Sequence, residues 1–285
     1  MTAASYENCE KILNIIREKT NKAPKIGIVC GSGLGKIGEF ITDAVYFSYA
    51  DLPGFHVSKV AGHKSRLILG KLNGVEVVCM QGRFHGYEGI PYNTCAFPIR
   101  VMKLLGVEYC LVTNAAGAIN KNYKLGDFMI LKDHLPVAMW GCNNPLVGPN
   151  ESKFGDRFFP TNNMFPRDMM DLVQECAKEL GQSDTIQEGV YAMMGGPNYE
   201  SIAELKALEV WGADVAGMST SPEVMVAHHC GIKCVGITMV TNLCVMDYDD
   251  HSTPNHAEVI EMADRRAADM VEIAKKLVVK LDQKQ

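Results

Sequence analysis

The sequence predicts one α/β domain spanning 1–285, with a central mixed, twisted β-sheet flanked by helices. Three observations predict it. Short apolar, strand-like runs alternate along the chain with segments of helical period. The 285 residues, 47% of them hydrophobic, are within the reach of one large α/β unit and suffice for a substantial core. No internal repeat, low-complexity tract or linker-like stretch cuts the chain in two.

The elements follow in order. Residues 6–20 carry Ile12, Ile15 and Ile16 at helical spacing, and 25–30 read as a strand. Residues 65–72 and 75–81 flank Asn73-Gly74, a strong hairpin signal. Residues 92–105 read as a helix that Pro98 makes start late or kink. Strands are expected at 109–113 and 127–132. The stretch 136–166 is rich in Gly, Pro and Asn without a period, so it is a long loop of the kind that tends to be functional. A helix at 167–180, a strand at 189–194, helices at 202–211 and 222–229, and a central strand at 231–240 follow. A long amphipathic helix over 255–280 comes last.

Charge and cysteine usage exclude several classes. Lys+Arg number 28 against 33 Asp+Glu, a net charge of −5 with no basic run, so neither nucleic acid nor a membrane surface is the expected partner. The amino-terminal stretch lacks the basic and apolar regions of a signal peptide, and no 18-residue apolar run exists. The ten cysteines form no C-x-x-C pair. Cys30, Cys79, Cys110, Cys234 and Cys244 fall in apolar runs, which fits buried reduced thiols in a cytoplasmic protein.

The stretch IGIVCGSGLGK, 26–36, reads as a buried strand breaking into a glycine loop that opens a helix, a shape that holds anions. Its glycines, Gly31, Gly33 and Gly35, miss the dinucleotide spacing by one residue, although Asp51 lies where a ribose-binding acid would sit. The triphosphate-loop pattern fails, since Lys36 is followed by Ile37. A plain strand–turn–helix remains open at this point. Other motifs favour an anion site. VAGHKSR, 60–66, sets His63 beside two cations. In QGRFHGYEG, 81–89, a β-like extension puts Arg83, His85 and Tyr87 on one face. Arg offers a bidentate oxyanion fork, and His and Tyr bond hydroxyls or phosphate. GGPNYESIAE and GMSTSPE place Tyr199, Glu200, Met218 and Ser219 at strand ends before helices, where α/β sheets bind ligands. VTNLCVMDY ends an apolar strand in Asn242, which offers a donor and an acceptor, or a simple Asx-turn.

These motifs, with TNAAGAIN, FGDRF and NHAEV, resemble in order and over almost the whole chain the trimeric, low-molecular-mass purine nucleoside phosphorylases. The resemblance implies a nucleoside phosphorylase-type fold and conversion of a purine nucleoside plus phosphate into free base plus ribose 1-phosphate, in purine salvage. It implies a homotrimer, and no cofactor or metal, inorganic phosphate being a co-substrate. It assigns phosphate to Ser32, His63, Arg83, His85, Ser219 and the N–H of Ala115. Tyr87, Met218 and His256 surround the ribose, joined by Phe158 reaching over from a neighbouring subunit. Tyr199, Glu200, Asn242, Ala116 and Gly117 hold the base, with Asn242, His85 and Glu200 as the catalytic set. Asn242 donating near N7 and Glu200 accepting N1–H imply inosine and guanosine over adenosine. The chain departs from the mammalian-type pattern at Leu243 (Lys there), Ala216 (often Val) and Ala118 (usually Gly), near the base pocket.

Rival readings are a nicotinamide oxidoreductase using the glycine loop and Asp51, a methylthioadenosine phosphorylase, and a non-catalytic nucleoside binder on the same fold. A metal site at His228, His229, Cys230 and Cys234 is disfavoured, because adjacent helical side chains diverge by about 100°. The acidic cluster Asp247, Asp249 and Asp250 lacks calcium-loop spacing and reads as a solvated loop. The paired methionines at 169–170 and 193–194 read as core filler.

Overall fold

The computed structural model describes residues 4–60, 62–253 and 255–284. Residues 1–3 of the amino-terminal stretch, Ala61 of the 60–66 motif, Pro254 and Gln285 lie outside the described residues.

A nine-stranded mixed sheet organises the chain. In chain order the strands are β1 (Ile26–Cys30), β2 (Thr42–Ser48), β3 (Arg66–Leu72), β4 (Val75–Gln81), β5 (Tyr109–Ala118), β6 (Phe128–Leu135), β7 (Ile186–Met193), β8 (Val215–Gly217) and β9 (Lys233–Leu243). Their spatial order is β2-β3-β4-β1-β5-β8-β7-β6-β9, and β9 pairs back onto β5. Five strands therefore close into a ring, from which β1, β4, β3 and β2 extend as an open wing. The strands β4, β1, β5 and β9 run parallel side by side, so their carboxyl ends lie together.

Helices cover both faces: α1 (Tyr6–Arg17), α2 (Tyr92–Cys95), α3 (Phe97–Leu105), α4 (Arg167–Glu179), α5 (Ile202–Val210), α6 (Ser221–His229) and α7 (His256–Asp282). Period-2 alternation in β1 sorts its side chains. Ile26, Ile28 and Cys30 pack with α4 and α7, while Val29 faces the core built with α1, α3 and α6. A strand buried on both faces must be apolar throughout, which is why IGIVC is a continuous run.

Apart from the one expected after the glycine loop, the expected helices are present within a few residues. The Pro98 segment divides at Ala96 into α2 and α3, with Pro98 in the first turn of α3. The hairpin turns on Asn73 (φ 50°) and Gly74 (φ 85°), the paired positive φ values of a type I′ turn. The methionine pairs at 169–170 and Met193 are core residues, as expected.

Several expectations need correction. β2 was not predicted, and β8 was implied only by the strand end placed at Met218 and Ser219. β2 mixes exposed and half-buried residues at the sheet edge, and β8 has three residues, too short for a period. The helix expected after the glycine loop is a 3₁₀ turn, Gly35–Phe40. Glycines at 33, 35 and 38 weaken helix propensity, so no α-helical N-terminus points at the loop. The strands β5, β6 and β9 run beyond their predicted ends, and β7 starts three residues before its predicted start. Cys30, Cys79, Cys110 and Cys234 are buried free thiols, but Cys244 is only partly buried and lies in a cavity wall.

Candidate active site

At the carboxyl ends of the parallel strands lies a cavity of about 590 Å³. It is within the range of small-molecule sites. Ser32 follows β1, Arg83 and His85 follow β4, Ala115–Gly117 close β5, and Thr241 and Asn242 close β9. β8 reaches the same place from the opposite direction. It pairs antiparallel with β5, Gly117 opposite Ala216, so its continuation runs Met218 and Ser219 back along the end of β5.

The glycine loop holds Ser32 by close approach. A Cβ on Gly31 would sit 2.6 Å from the Thr113 carbonyl oxygen and 2.7 Å from Asn114 Cα. Gly33 adopts φ 72°, and a Cβ there would meet Ala263 of α7 at 2.2 Å. Thus the loop is pressed between β5 and α7, and only glycine fits.

Arg83 forms the floor and is 1% exposed. Its Nε donates to Glu223 Oε1 at 2.9 Å, and its Nη1 donates to the Thr113 carbonyl at 2.8 Å and to Ser219 Oγ at 3.1 Å. Its Nη2 is buried and has no protein partner among the described residues. A buried guanidinium N–H without an acceptor is costly, so this donor is set for a ligand. The Ser219 side chain is aimed by a three-residue turn. Thr220 has φ 73° and ψ −52°, the Ser221 N–H donates to the Ser219 carbonyl at 2.8 Å, and Asn114 Nδ2 donates to Thr220 Oγ1 at 3.0 Å. This is a strained γ-turn. Tyr191 Oη accepts from the Ser219 N–H at 3.1 Å.

Two histidines complete this end. The Arg83 N–H donates to His63 Nδ1 at 2.9 Å. Nδ1 also lies 3.1 Å from the Arg83 carbonyl, but an amide N–H can only donate, which assigns the proton to Nε2. That nitrogen lies 3.3 Å from Ser32 Oγ. Burial, with the neighbouring His85 and Arg83, lowers His63 to about 3, so it is neutral. His85 Nδ1 lies 3.1 Å from Glu88 Oε1, and the His85 ring stacks on Tyr87 at 4.6 Å between centroids. Burial pushes Glu88 up, but hydrogen bonds from His85 and Ser58 prevail and hold it at about 2. Burial, opposed by that Glu88 contact, lowers His85.

The other end is shaped by a bulge. Between β5 and β9 the register passes from Ala116–Val240 to Gly117–Asn242, leaving Thr241 as an extra residue. Consecutive Thr241 and Asn242 therefore both face the cavity. Thr241 Oγ1 lies 3.3 Å from the Ala116 carbonyl and 3.4 Å from Asn242 Oδ1. This contact engages the Asn242 oxygen and leaves Nδ2 as the free donor. Gly117 leaves it room, since a Cβ there would be 2.8 Å from Nδ2. Tyr199, Glu200, Ala216 and Cys244 wall this end, and burial raises the Glu200 carboxyl from its ordinary value.

Known proteins match this architecture. The model of the phosphorylase superfamily matches residues 25–279. The purine nucleoside phosphorylase of Bos taurus is 44% identical over 94% of this chain and 92% of its own length. Purine nucleoside phosphorylase 1 of Bacillus subtilis is 41% identical over 97% and 99%. The chain belongs to the purine nucleoside phosphorylase family. Among solved structures of the family, Schistosoma mansoni purine nucleoside phosphorylase in complex with adenosine superposes with a TM-score of 0.94, at 46% identity and 99% coverage of both chains.

Of the fifteen residues that the resemblance assigns to the site, the cavity gathers all but two. His63 stands behind Ser32, and Phe158 is 89% exposed on the surface, away from the cavity. Tyr87 does share a face with His85, but within a 3₁₀ turn, Gly86–Glu88, and not in a β-like extension. Asp51 lies exposed outside the cavity, which removes the ribose-binding acid of the dinucleotide reading. Of the departures from the mammalian pattern, Ala216 lines the cavity, Ala118 is buried beyond it, and Leu243 faces an adjoining cavity of about 580 Å³. Sequence reasoning assigned no role to Glu223, Glu88, Thr241, Tyr191 or Ser58. The signal for Glu223 was a carboxylate inside the apolar first turn of α6. For Glu88 it was a glutamate three residues after His85. Nothing in the sequence marks the bulge at Thr241.

Proposed function

We propose that this chain is a purine nucleoside phosphorylase acting on 6-oxopurine ribo- and deoxyribonucleosides such as inosine and guanosine. A phosphate oxygen bonds to C1′ as the C1′–N9 bond breaks. The attacking HPO₄²⁻ gives up one proton, the departing purine gains one, and ribose 1-phosphate leaves as a dianion. Ser32, the unpaired Nη2 of Arg83, Ser219, the Ala115 N–H and the two histidines hold phosphate. Tyr87, Met218 and His256 hold the sugar, and Tyr199, Glu200, Ala116, Gly117 and Asn242 hold the base. Charge builds on the purine as it leaves, and Asn242 Nδ2 donating at its N7 edge stabilises that charge selectively. Each 1.4 kcal/mol of such stabilisation is worth about tenfold in rate.

The observation that carries the reading is that the free arginine donor and the Glu200–Asn242 pair wall one cavity. Structures of the Schistosoma mansoni enzyme with inosine, and of a Schistosoma enzyme with guanosine, support the substrate class. The same reading makes 1–285 one domain, needs no metal or organic cofactor, and places the protein in the cytoplasm. Among the described residues no helix is long and apolar enough to cross a membrane. It makes the protein a homotrimer, which gives exposed Phe158 a neighbour's sugar to cover.

Hypoxanthine release from inosine, with and without phosphate and with adenosine alongside, tests it. Release only with phosphate is expected. Release without phosphate makes the protein a hydrolase and overturns the roles of Ser32, Arg83 and Ser219.

A further inference from the structure

The segment 154–160, FGDRFFP, forms no helix or strand, but it is fixed to the rest of the chain on both sides of Phe158. On the amino-terminal side Phe154 is buried, with the Arg100 guanidinium 4.9 Å from its ring centre and the Tyr6 ring at 5.4 Å. Gly155 lies across the carboxyl end of α6. A Cβ there would sit 2.1 Å from the His229 carbonyl oxygen and 3.2 Å from the His229 ring, so only glycine lets the backbone cross. On the carboxyl-terminal side the half-buried Phe159 ring lies 5.8 Å from His228 and 5.2 Å from His229. His228 Nε2 donates to the Pro160 carbonyl at 2.9 Å. The end of α6 is a firm base for these contacts. Ser221 to Ala227 are all buried, as is His229, and the first turn holds Glu223 against Arg83. Between the two anchors Phe158 stands 89% exposed.

We propose that His228, His229 and Phe159 are positioning residues that pre-set Phe158 for the ribose of a neighbouring subunit. An aromatic side chain on an unanchored loop has to be ordered whenever nucleoside binds, and that ordering weakens binding. Anchored on both sides, Phe158 meets the sugar with its backbone already fixed. The inference rests on the assignment of Phe158 to a neighbour's sugar made above.

The test is steady-state phosphorolysis of inosine by the full-length protein and its Phe158→Ala, His228→Ala, His228→Gln, Phe159→Ala and Phe158→Ala/His228→Ala variants. Phe158→Ala should raise the inosine KM. His228→Ala and Phe159→Ala should each raise it about three- to tenfold, the scale of one hydrogen bond or packing contact. The phosphate KM and the affinity for hypoxanthine should stay within about twofold, since Phe158 covers only the sugar. His228→Gln keeps an N–H for the Pro160 carbonyl and should return the inosine KM to within about twofold of the unaltered protein. The double variant should match Phe158→Ala, because His228 acts through Phe158. Additive effects in the double variant overturn the proposal, as does a phosphate KM that rises in step. Loss of the oligomer in His228→Ala, read by sedimentation, also overturns it. An inosine KM raised in Phe158→Ala but unchanged in His228→Ala and Phe159→Ala overturns the proposal alone. An inosine KM unchanged in Phe158→Ala removes the assignment of Phe158 to a neighbour's sugar, and the proposal with it.

Discussion

Replacing Glu223 by Gln isolates the charge beneath the anion site. The side chain keeps its size and an oxygen for Arg83 Nε, but the counter-charge is gone. Arg83 and Glu223 are 1% and 2% exposed, 2.9 Å apart. At an effective dielectric constant of 20, opposite unit charges at that distance attract by about 6 kcal/mol. The Thr113 carbonyl and Ser219 hydroxyl still accept from Nη1, which recovers part of this. Breaking a buried pair from one side typically costs about 3–5 kcal/mol. For a chain of this size that corresponds to a fall in Tm of about 6–20 °C. The assay is thermal unfolding of the unaltered protein, Glu223→Gln, and Glu223→Gln combined with Arg83→Met, with and without phosphate. The double variant removes both charges and should recover most of the loss. Added phosphate should raise the Tm of Glu223→Gln more than that of the unaltered protein, because the anion supplies the missing counter-charge. A single variant melting within 3 °C of the unaltered protein refutes the reasoning, as does a double variant no more stable than the single.

Other expectations are as direct. Asn242→Asp replaces the free Nδ2 donor by a second acceptor, so inosine turnover should fall and the inosine-to-adenosine ratio should drop about 100-fold or more, on the basis of 1–3 kcal/mol for each mismatched hydrogen bond. An unchanged ratio in paired kcat/KM measurements removes Asn242 from base selection. Gly31→Ala puts a methyl 2.6 Å from the Thr113 carbonyl, so Ser32 must move. The phosphate KM should rise at least about tenfold and stability fall by about 1–3 kcal/mol, with hypoxanthine affinity little changed. Burial lowers His63 to about 3 and His134 to about 4 from 6.5. Between those values and 6.5 the unfolded chain binds more protons than the folded one, so stability rises with pH and is lost as pH falls. From pH 7 to pH 5 each histidine should cost about 2 kcal/mol, and a flat urea-unfolding stability over that range contradicts both assignments.

The sequence by itself determined the fold class, most helices, the hairpin at Asn73-Gly74 and about half of the residues that line the cavity. These are local properties. Apolar periodicity, glycine and proline chemistry and ordered short motifs act over a few residues and can be read in one dimension. Ser32, Arg83, Ser219, Glu200 and Asn242 stood out because polar groups directly after apolar strands have few structural roles. Tertiary structure alone decided what these residues do to one another. The Arg83–Glu223 pair spans 140 residues, and the bulge at Thr241 exists only because β9 pairs with β5. Closure of β5, β8, β7, β6 and β9 into a ring turns β8 antiparallel to β5 and so brings Ser219 to Arg83. The tautomers of His63 and His85 depend on the Arg83 N–H and the Glu88 carboxylate facing them. Hydrogen-bond polarity is a property of pairs of atoms about 3 Å apart, and the fold brings those pairs together.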